Sequence, residues 1–409
     1  MDVFVARQAI LNRQKDLFAY ELLFRSSAER NCYDGADSSS STQQVIANTL
    51  FSAGLEGILG GKKGFINFDR KMLLDGSWSI LPKDNVVIEL LESVEPDEAV
   101  VEACGRLCAS GYTLALDDFV HHPKFEPLAQ KAHFIKVDVQ ATTRAEQKGL
   151  VAKYGKRGIR MLAEKVETVK EFDWALSIGF DYFQGYFFTR PVVVRGRQIP
   201  SLKISCLNLL QETQREPINF EKVRDLVKND VAFSYKLLRF TNSAFFAHQT
   251  EIREIDRALI VLGEQGIRRW VAIAAMIGLA KDKPNELIAQ SLLRARFAEQ
   301  LARMAGYSDA SNWFLMGLFS QLDALLDLTI ESALQQIALV LPVKEVLLQT
   351  APANNRMACA YSLILCYEKG DWDQVTKLAQ CVGVQASEIG QAYVQSARWV
   401  SEVTAQSGS

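Results

Sequence analysis

Up to about residue 190, short apolar runs of strand character alternate with amphipathic stretches of helical period, and this alternation constrains the fold more than any other feature. The strand candidates are Val3–Arg7, Leu17–Phe24, Gly64–Phe68, Asn85–Leu90, Thr113–Phe119, Phe134–Asp138, Arg160–Glu164 and Asp181–Gln184. Helix-like segments lie between them, among them Gln43–Ala53, Asp97–Ser110, Thr143–Lys153 and Val169–Ile178. The serine-rich run Ser38–Thr42 suits a loop that supplies an N-cap. Regular alternation implies parallel strands, doubly wound or closed into a barrel, and about eight strands favour closure. No GxGxxG follows the first strand, which argues against a dinucleotide fold.

The pattern changes after residue 190. Residues 191–200 resemble a linker, with Pro191, a β-branched stretch, Gly196 and Pro200. From Ser201 onward the apolar period is about 3.6, as in Val223–Val227, Ser234–Phe240, Leu292–Ala305 and Leu334–Leu341. The expected organisation is an α/β TIM-like barrel over 1–190, a linker over 191–200 and an all-α domain over 201–409. A length of 409 residues suits two or three domains.

Charge and cysteine usage narrow the function classes. Lys+Arg 46 against Asp+Glu 48 gives a net charge of −2, so no global basic excess exists to hold nucleic acid, and none is expected as a partner. The 7 cysteines are scattered without a CxxC pair, which fits a reducing compartment, and Cys104 and Cys108 suit buried thiols on a helix. Met1-Asp2-Val3 lacks a signal-peptide pattern. The longest apolar stretch, around Val271–Ala280, falls short of the roughly 18 residues of a membrane span. A cytoplasmic protein away from the membrane is expected.

Polar residues recur at or near the ends of the strand candidates: Glu21, Asn67, Glu89, Asp117 with Asp118, Lys136 and Asp138, Glu164, and Gln184. In parallel-strand barrels these ends and the loops after them build the active site. Carboxylates converging in one mouth repel one another unless a cation compensates. Acids with amides and no histidine are hard oxygen ligands, which suit Mg²⁺ or Mn²⁺ over Zn²⁺. Consecutive strand residues face opposite sides, so Asp117 and Asp118 can both reach such a site only where the strand ends and the chain turns. Two hard cations about 4 Å apart are the usual apparatus of in-line phosphoester hydrolysis.

The ordered set Glu21-Leu22-Leu23-Phe24-Arg25, Asn67, Glu89-Leu90-Leu91-Glu92, Asp117-Asp118-Phe119, Lys136-Val137-Asp138, Glu164-Lys165-Val166-Glu167 and Gln184-Gly185-Tyr186 resembles the EAL family, bacterial TIM-barrel phosphodiesterases that open cyclic di-GMP to linear pGpG. The resemblance covers about residues 1–190. It implies one or two Mg²⁺ or Mn²⁺ ions, with Glu21, Asn67, Glu89 and Asp117 as ligands of the first, Asp118 serving the second and Gln184 completing the site. Lys136 and Glu164 would orient and deprotonate the hydrolytic water, and Arg25 would hold a substrate phosphate. Glu92 and Glu167 would brace the loop after the aspartate pair, with Asp138 in support. A homodimer is a further expectation.

This chain departs from the pattern at several points. The signature alanine is Leu22, beside the first ligand. Val120-His121-His122-Pro123 replaces a glycine-bearing loop, and lost glycines remove permissive backbone conformations. Lys165 stands where the family has glycine, and Gln8-Ala9-Ile10 where it has Gln-Pro-Ile. His121 and His122 are either exposed loop residues or pH-sensitive contacts over the site.

Leu237-Leu238-Arg239-Phe240-Thr241-Asn242-Ser243-Ala244, preceded by Ile199-Pro200-Ser201-Leu202 and followed by Ala258 and Leu262-Gly263, resembles the HDOD family, all-helical relatives of HD phosphohydrolases. Coverage is about residues 199–320. Relatives carry His-Asp after a Gly-Leu, whereas this chain has Gly317-Leu318-Phe319-Ser320-Gln321, and no histidine follows His248. A docking or regulatory module with an unknown protein partner is therefore expected. Asn242-Ser243 suits a capping pair between helices. Two functions compete for the whole chain: a metal-dependent cyclic di-GMP phosphodiesterase, or a non-hydrolysing receptor or scaffold favoured by Leu22, Lys165 and the altered loop.

Overall fold

The computed structural model describes residues 3–26, 55–188, 206, 209–213, 218–242, 252–280, 283–337 and 339–407. The helix expected at 43–53, the serine run, the linker at 191–200, Ser243 and His248 lie outside these residues. Two compact units emerge: residues 1–190 with 362–380 and 384–409, and residues 191–361 with 381–383.

The first unit is a closed barrel of β1 (Val3–Asn12), β2 (Leu17–Ser26), β3 (Lys63–Phe68), β4 (Val86–Leu90), β5 (Thr113–Leu116), β6 (Phe134–Asp138), β7 (Arg160–Glu164) and β8 (Tyr182–Gln184), in sequence order. Strands β2 to β8 are parallel, as alternation implied. β1 corrects the uniform picture, being antiparallel to both β2 and β8. It runs five residues past the expected Arg7, and the Asn12–Asp16 turn, held by Asn12 Oδ1 accepting from the Gln14 and Asp16 N–H groups, is too short to hold a crossover helix. β5 ends at Leu116, short of the expected Phe119, because the chain turns at the aspartate pair.

Capping defines the helices of the barrel. Asp97 caps Glu98–Ala109, Thr143 caps Arg144–Tyr154 and Thr168 caps Val169–Ile178, the last two as reciprocal capping boxes with Glu146 and Glu171. The outward strand side chains and these helices form the main core, including Leu22, Ile66, Ile88, Leu114, Ile135 and Phe183. The inward side chains Ile10, Ala19, Phe65, Val87, Ala115, Phe134 and Leu162 fill the floor of the barrel. Cys104 is packed in the outer core, where burial pushes its thiol up to about 12.

Residues 362–380 and 384–409, expected to belong to the helical domain, cluster instead with the barrel. The physical reason is a seam. β8 pairs with β1 only at Ile10, Leu11 and Asn12. Further along β1 towards residue 3, the Tyr367 hydroxyl accepts from the Val5 N–H at 3.3 Å and donates to the Val5 carbonyl at 3.0 Å. The Tyr393 hydroxyl accepts from the Arg7 N–H at 3.3 Å, and Trp372 stacks on Phe4. Backbone groups that a longer β8 would have satisfied are satisfied by phenols.

The second unit is helical throughout its described residues, with Ile255–Leu279, Asn285–Met304 and Ser311–Phe319 as its main packed helices. Asn242 closes the end of helix Val231–Thr241 against Ile252, accepting from its N–H and donating to its carbonyl, both at 2.7 Å. Cys359 and Cys381 form a disulfide, a pairing that scattered spacing did not suggest. No helix among the described residues is long and apolar enough to cross a membrane.

Candidate metal centre at the barrel mouth

The floor residues position the site by the two-residue period of a strand. Two positions beyond Ala19, Phe65, Val87, Phe134 and Leu162 stand Glu21, Asn67, Glu89, Lys136 and Glu164, all inward and one layer higher. Asp117 follows Ala115 in the same way, and Gln184 follows Tyr182. Leu22, flanking the first acid, therefore points outward into the main core and does not crowd the mouth. In the antiparallel β1 the same rule runs backwards, so Gln8, two before Ile10, joins the layer in register with Glu21. Gln8 was noted in the sequence only as part of a departing motif; the floor residue Ile10 and the reversed strand are the signal that finds it.

Lys136 is the centre of the layer. Its ammonium lies 2.8 Å from Glu164 Oε1, 2.9 Å from Asp117 Oδ1 and 3.3 Å from Glu21 Oε2, and it also pairs with Glu89 Oε1. An ammonium has three N–H donors, so holding a water, the role expected from the sequence, requires one of these bonds to be released. Gln184 donates to Glu21 at 2.7 Å and to Gln8 at 3.1 Å, and Asn67 donates to Glu21 at 3.2 Å.

Four acids around one base leave an excess of negative charge. Burial holds the Glu89 carboxyl well above the usual carboxylate range, opposed by Lys136. Burial raises Glu164 to about 8, again opposed by Lys136 and reinforced by Asp117 and Glu21. Asp117 stays below its ordinary value: burial raises it, but Lys136 and hydrogen bonds to its neighbours outweigh that. Lys136 is held protonated, well above the ordinary lysine range, because its four carboxylates outweigh the cost of burial.

Five buried oxygens in this mouth accept no hydrogen bond: Asn67 Oδ1, Glu89 Oε2, Asp118 Oδ1, Glu164 Oε2 and Gln184 Oε1. Orphaned buried acceptors carry a desolvation cost. A cation bound by oxygen would remove that cost, so the donor set fits a hard divalent ion. Asp117, Asp118 and Glu164 each present a ligand atom within 4.8 Å of the others. Asp118 reaches the mouth beside Asp117 because its φ is 39°, the left-handed turn that the doublet required.

The departing residues resolve individually. Lys165 keeps a left-handed backbone, φ 55°, without being glycine, and its ammonium meets Asp138 at 2.5 Å and Asp118 at 3.4 Å. Asp138 also accepts from the Gln140 and Ala141 N–H groups. His121 turns to the Tyr154 hydroxyl at 2.9 Å, and His122 accepts from the Lys124 N–H as a helix cap, so both serve the loop. Glu92 and Glu167 are exposed. The Arg25 side chain lies outside the described residues.

In the helical unit, Ser320 and Gln321 follow the end of helix Ser311–Phe319. Gln321 accepts from the Ser291 hydroxyl and donates to Gln290, both at 2.9 Å, and Arg294 donates to Ser320 at 3.1 Å. This is an amide and hydroxyl network closed by the Arg294 guanidinium.

The EAL domain family matches residues 62–191, and the HDOD domain family matches residues 199–351. An uncharacterized protein of Bacillus subtilis, YuxH, is 34% identical over 407 residues, 98% of each chain. The cyclic di-GMP phosphodiesterase CdgJ of Vibrio cholerae is 33% identical over 405 residues, 98% of this chain and 93% of that one. Among solved structures, the calcium and cyclic di-GMP complex of Klebsiella pneumoniae BlrP1 is 26% identical with a TM-score of 0.38, covering 47% of this chain and 56% of that one.

Proposed function

The chain belongs to the family of EAL-domain proteins that carry an HDOD domain after the EAL domain, and from that membership we propose that it hydrolyses cyclic di-GMP to linear pGpG in a metal-dependent reaction at the barrel mouth. The observation that carries the proposal is the set of five buried, unpartnered oxygens converging from strands β3, β4, β7 and β8 and the turn after β5. Glu21, Asn67, Glu89, Asp117 and Gln184 would hold Mg²⁺ or Mn²⁺, with Asp118 available to a second ion. The bound cation supplies Lewis-acid polarisation of a phosphoryl oxygen and a water of lowered pKa.

The chain's own residues do the rest. Lys136 gathers four carboxylates that would otherwise repel one another, which preorganises the ligands before a cation arrives. Glu164, whose Oε2 makes no hydrogen bond, is the base that would take the proton of the attacking water. Arg25 would neutralise a substrate phosphate. The HDOD half, with Ser320 and Gln321 in place of metal ligands, would act as a docking module.

Incubating the full chain with cyclic di-GMP and Mn²⁺, then chromatographing for pGpG, tests the proposal. Product from wild type and none from Glu21→Ala supports hydrolysis. Binding of the dinucleotide without product would overturn it in favour of a receptor, the role that the Lys165 ammonium beside Asp118 would suit.

A further inference from the structure

One hydrogen-bonded chain runs from the C-terminal helices to the metal ligands. The Glu368 carbonyl accepts from Gln8 Nε2 at 3.2 Å. The other end of the same amide, Gln8 Oε1, accepts from Gln184 Nε2 at 3.1 Å, and Gln184 Nε2 donates in turn to Glu21 Oε2 at 2.7 Å. Glu368 is itself set by its neighbour Tyr367, whose hydroxyl holds both backbone groups of Val5. Tyr393, from helix Ala386–Ser407, holds Arg7 immediately before Gln8.

We propose that residues 362–380 and 384–407 are a positioning element of the barrel's metal centre, acting through Gln8 on Gln184 and Glu21. Gln8 is a positioning residue, since it bonds to Gln184, a proposed ligand, and is not itself among the residues assigned to the ion. Its amide is tied at one end to the Glu368 carbonyl and at the other to the Gln184 amide. An amide fixed at both ends allows Gln184 a single orientation: with its nitrogen spent on Gln8 and Glu21, its Oε1 is turned towards the mouth, where it is one of the five unpartnered oxygens. Loosening the helices therefore loosens the ligand set. Partners that hold metal ligands in place commonly govern affinity 10- to 100-fold.

This inference rests on the proposed metal centre, and Mn²⁺ affinity, measured by calorimetric titration of the full chain, separates the two. Gln8→Met keeps the length of the side chain and removes both hydrogen bonds; its Kd for Mn²⁺ should rise about 10-fold or more. The double variant Tyr367→Phe with Tyr393→Phe alters no group in the mouth, yet should raise that Kd several-fold. A purely structural role for these residues would lower Tm and leave the Kd of the folded protein unchanged, which would overturn the inference. A wild type that takes up no Mn²⁺ would overturn the metal centre and the inference with it. Wild-type binding shared within twofold by either Gln8→Met or the tyrosine pair would overturn the inference alone.

Discussion

Replacing Lys136 with methionine tests the electrostatics of the mouth most directly. The side chain is 1% exposed and its partners Glu21, Glu89, Asp117 and Glu164 range from 0% to 15%. Methionine fills similar volume, so the change removes charge with little change in packing. Removing one partner from a buried ion pair costs about 3–5 kcal/mol, because the remaining charge is left uncompensated. Here four carboxylates lose their shared cation, so the upper part of that range applies at pH 8 in EDTA. At roughly 2–4 °C per kcal/mol for a domain of this size, Tm should fall by roughly 8–20 °C. The sign of the pH dependence follows from Glu164, raised to about 8 from an ordinary 4.5. Between those values the folded protein binds more protons than the unfolded chain, so metal-free stability declines as pH rises. Lys136 opposes the rise, and without it the carboxyls climb further. The gap between wild type and variant should therefore widen from pH 5 to pH 8 in calorimetric melts, and Mn²⁺ should narrow it. A variant melting within 2 °C of wild type at pH 8 (about 1 kcal/mol or less), or a gap indifferent to pH, would refute the reasoning.

Three further outcomes are expected. Leu22→Ala should cost about 2–5 kcal/mol in denaturant unfolding, through a cavity in the outer core, and leave Mn²⁺ affinity unchanged because Leu22 faces away from the mouth. Gly185→Ala should cost about 3 kcal/mol or more and weaken Mn²⁺ binding: φ is 143° and a Cβ would collide with the Val166 carbonyl, displacing the neighbouring Gln184. Glu126→Gln should lower Tm slightly at pH 6, with the difference closing towards pH 3. Hydrogen bonds from Lys153 and Arg157 hold Glu126 at about 2, so its stabilisation is present above the ordinary value of 4.5 and lost as pH falls.

The mouth was legible because a barrel strand repeats every two residues. Once Phe65, Val87, Phe134 and Leu162 are assigned to the floor, Asn67, Glu89, Lys136 and Glu164 have nowhere else to point. Asp118 was legible through the same rule's failure, since a doublet needs a turn. The direction of β1 was obscured because its apolar run was stopped at Arg7, leaving room for a helix between strands where the chain has only a tight turn. Lys136's enclosure by four acids depends on distances across the barrel, which strand-by-strand inspection does not supply. The attachment of residues 362–380 and 384–409 was illegible for a different reason: helical period says that a segment is amphipathic, and only tertiary packing says which surface receives it.

The seam between β1 and β8 also bears on how the chain comes to be folded. Val5 and Tyr367 are separated by 362 positions, and Arg7 and Tyr393 by 386. During synthesis Val5 and Arg7 leave the ribosome long before their phenol partners exist, so this edge of the barrel stays hydrated until Tyr367 and Tyr393 have been made. Contacts of such separation are slow to form, because the loop-closure entropy must be met before they stabilise anything. A chain interrupted before Tyr367 would thus lack the phenol that holds both backbone groups of Val5.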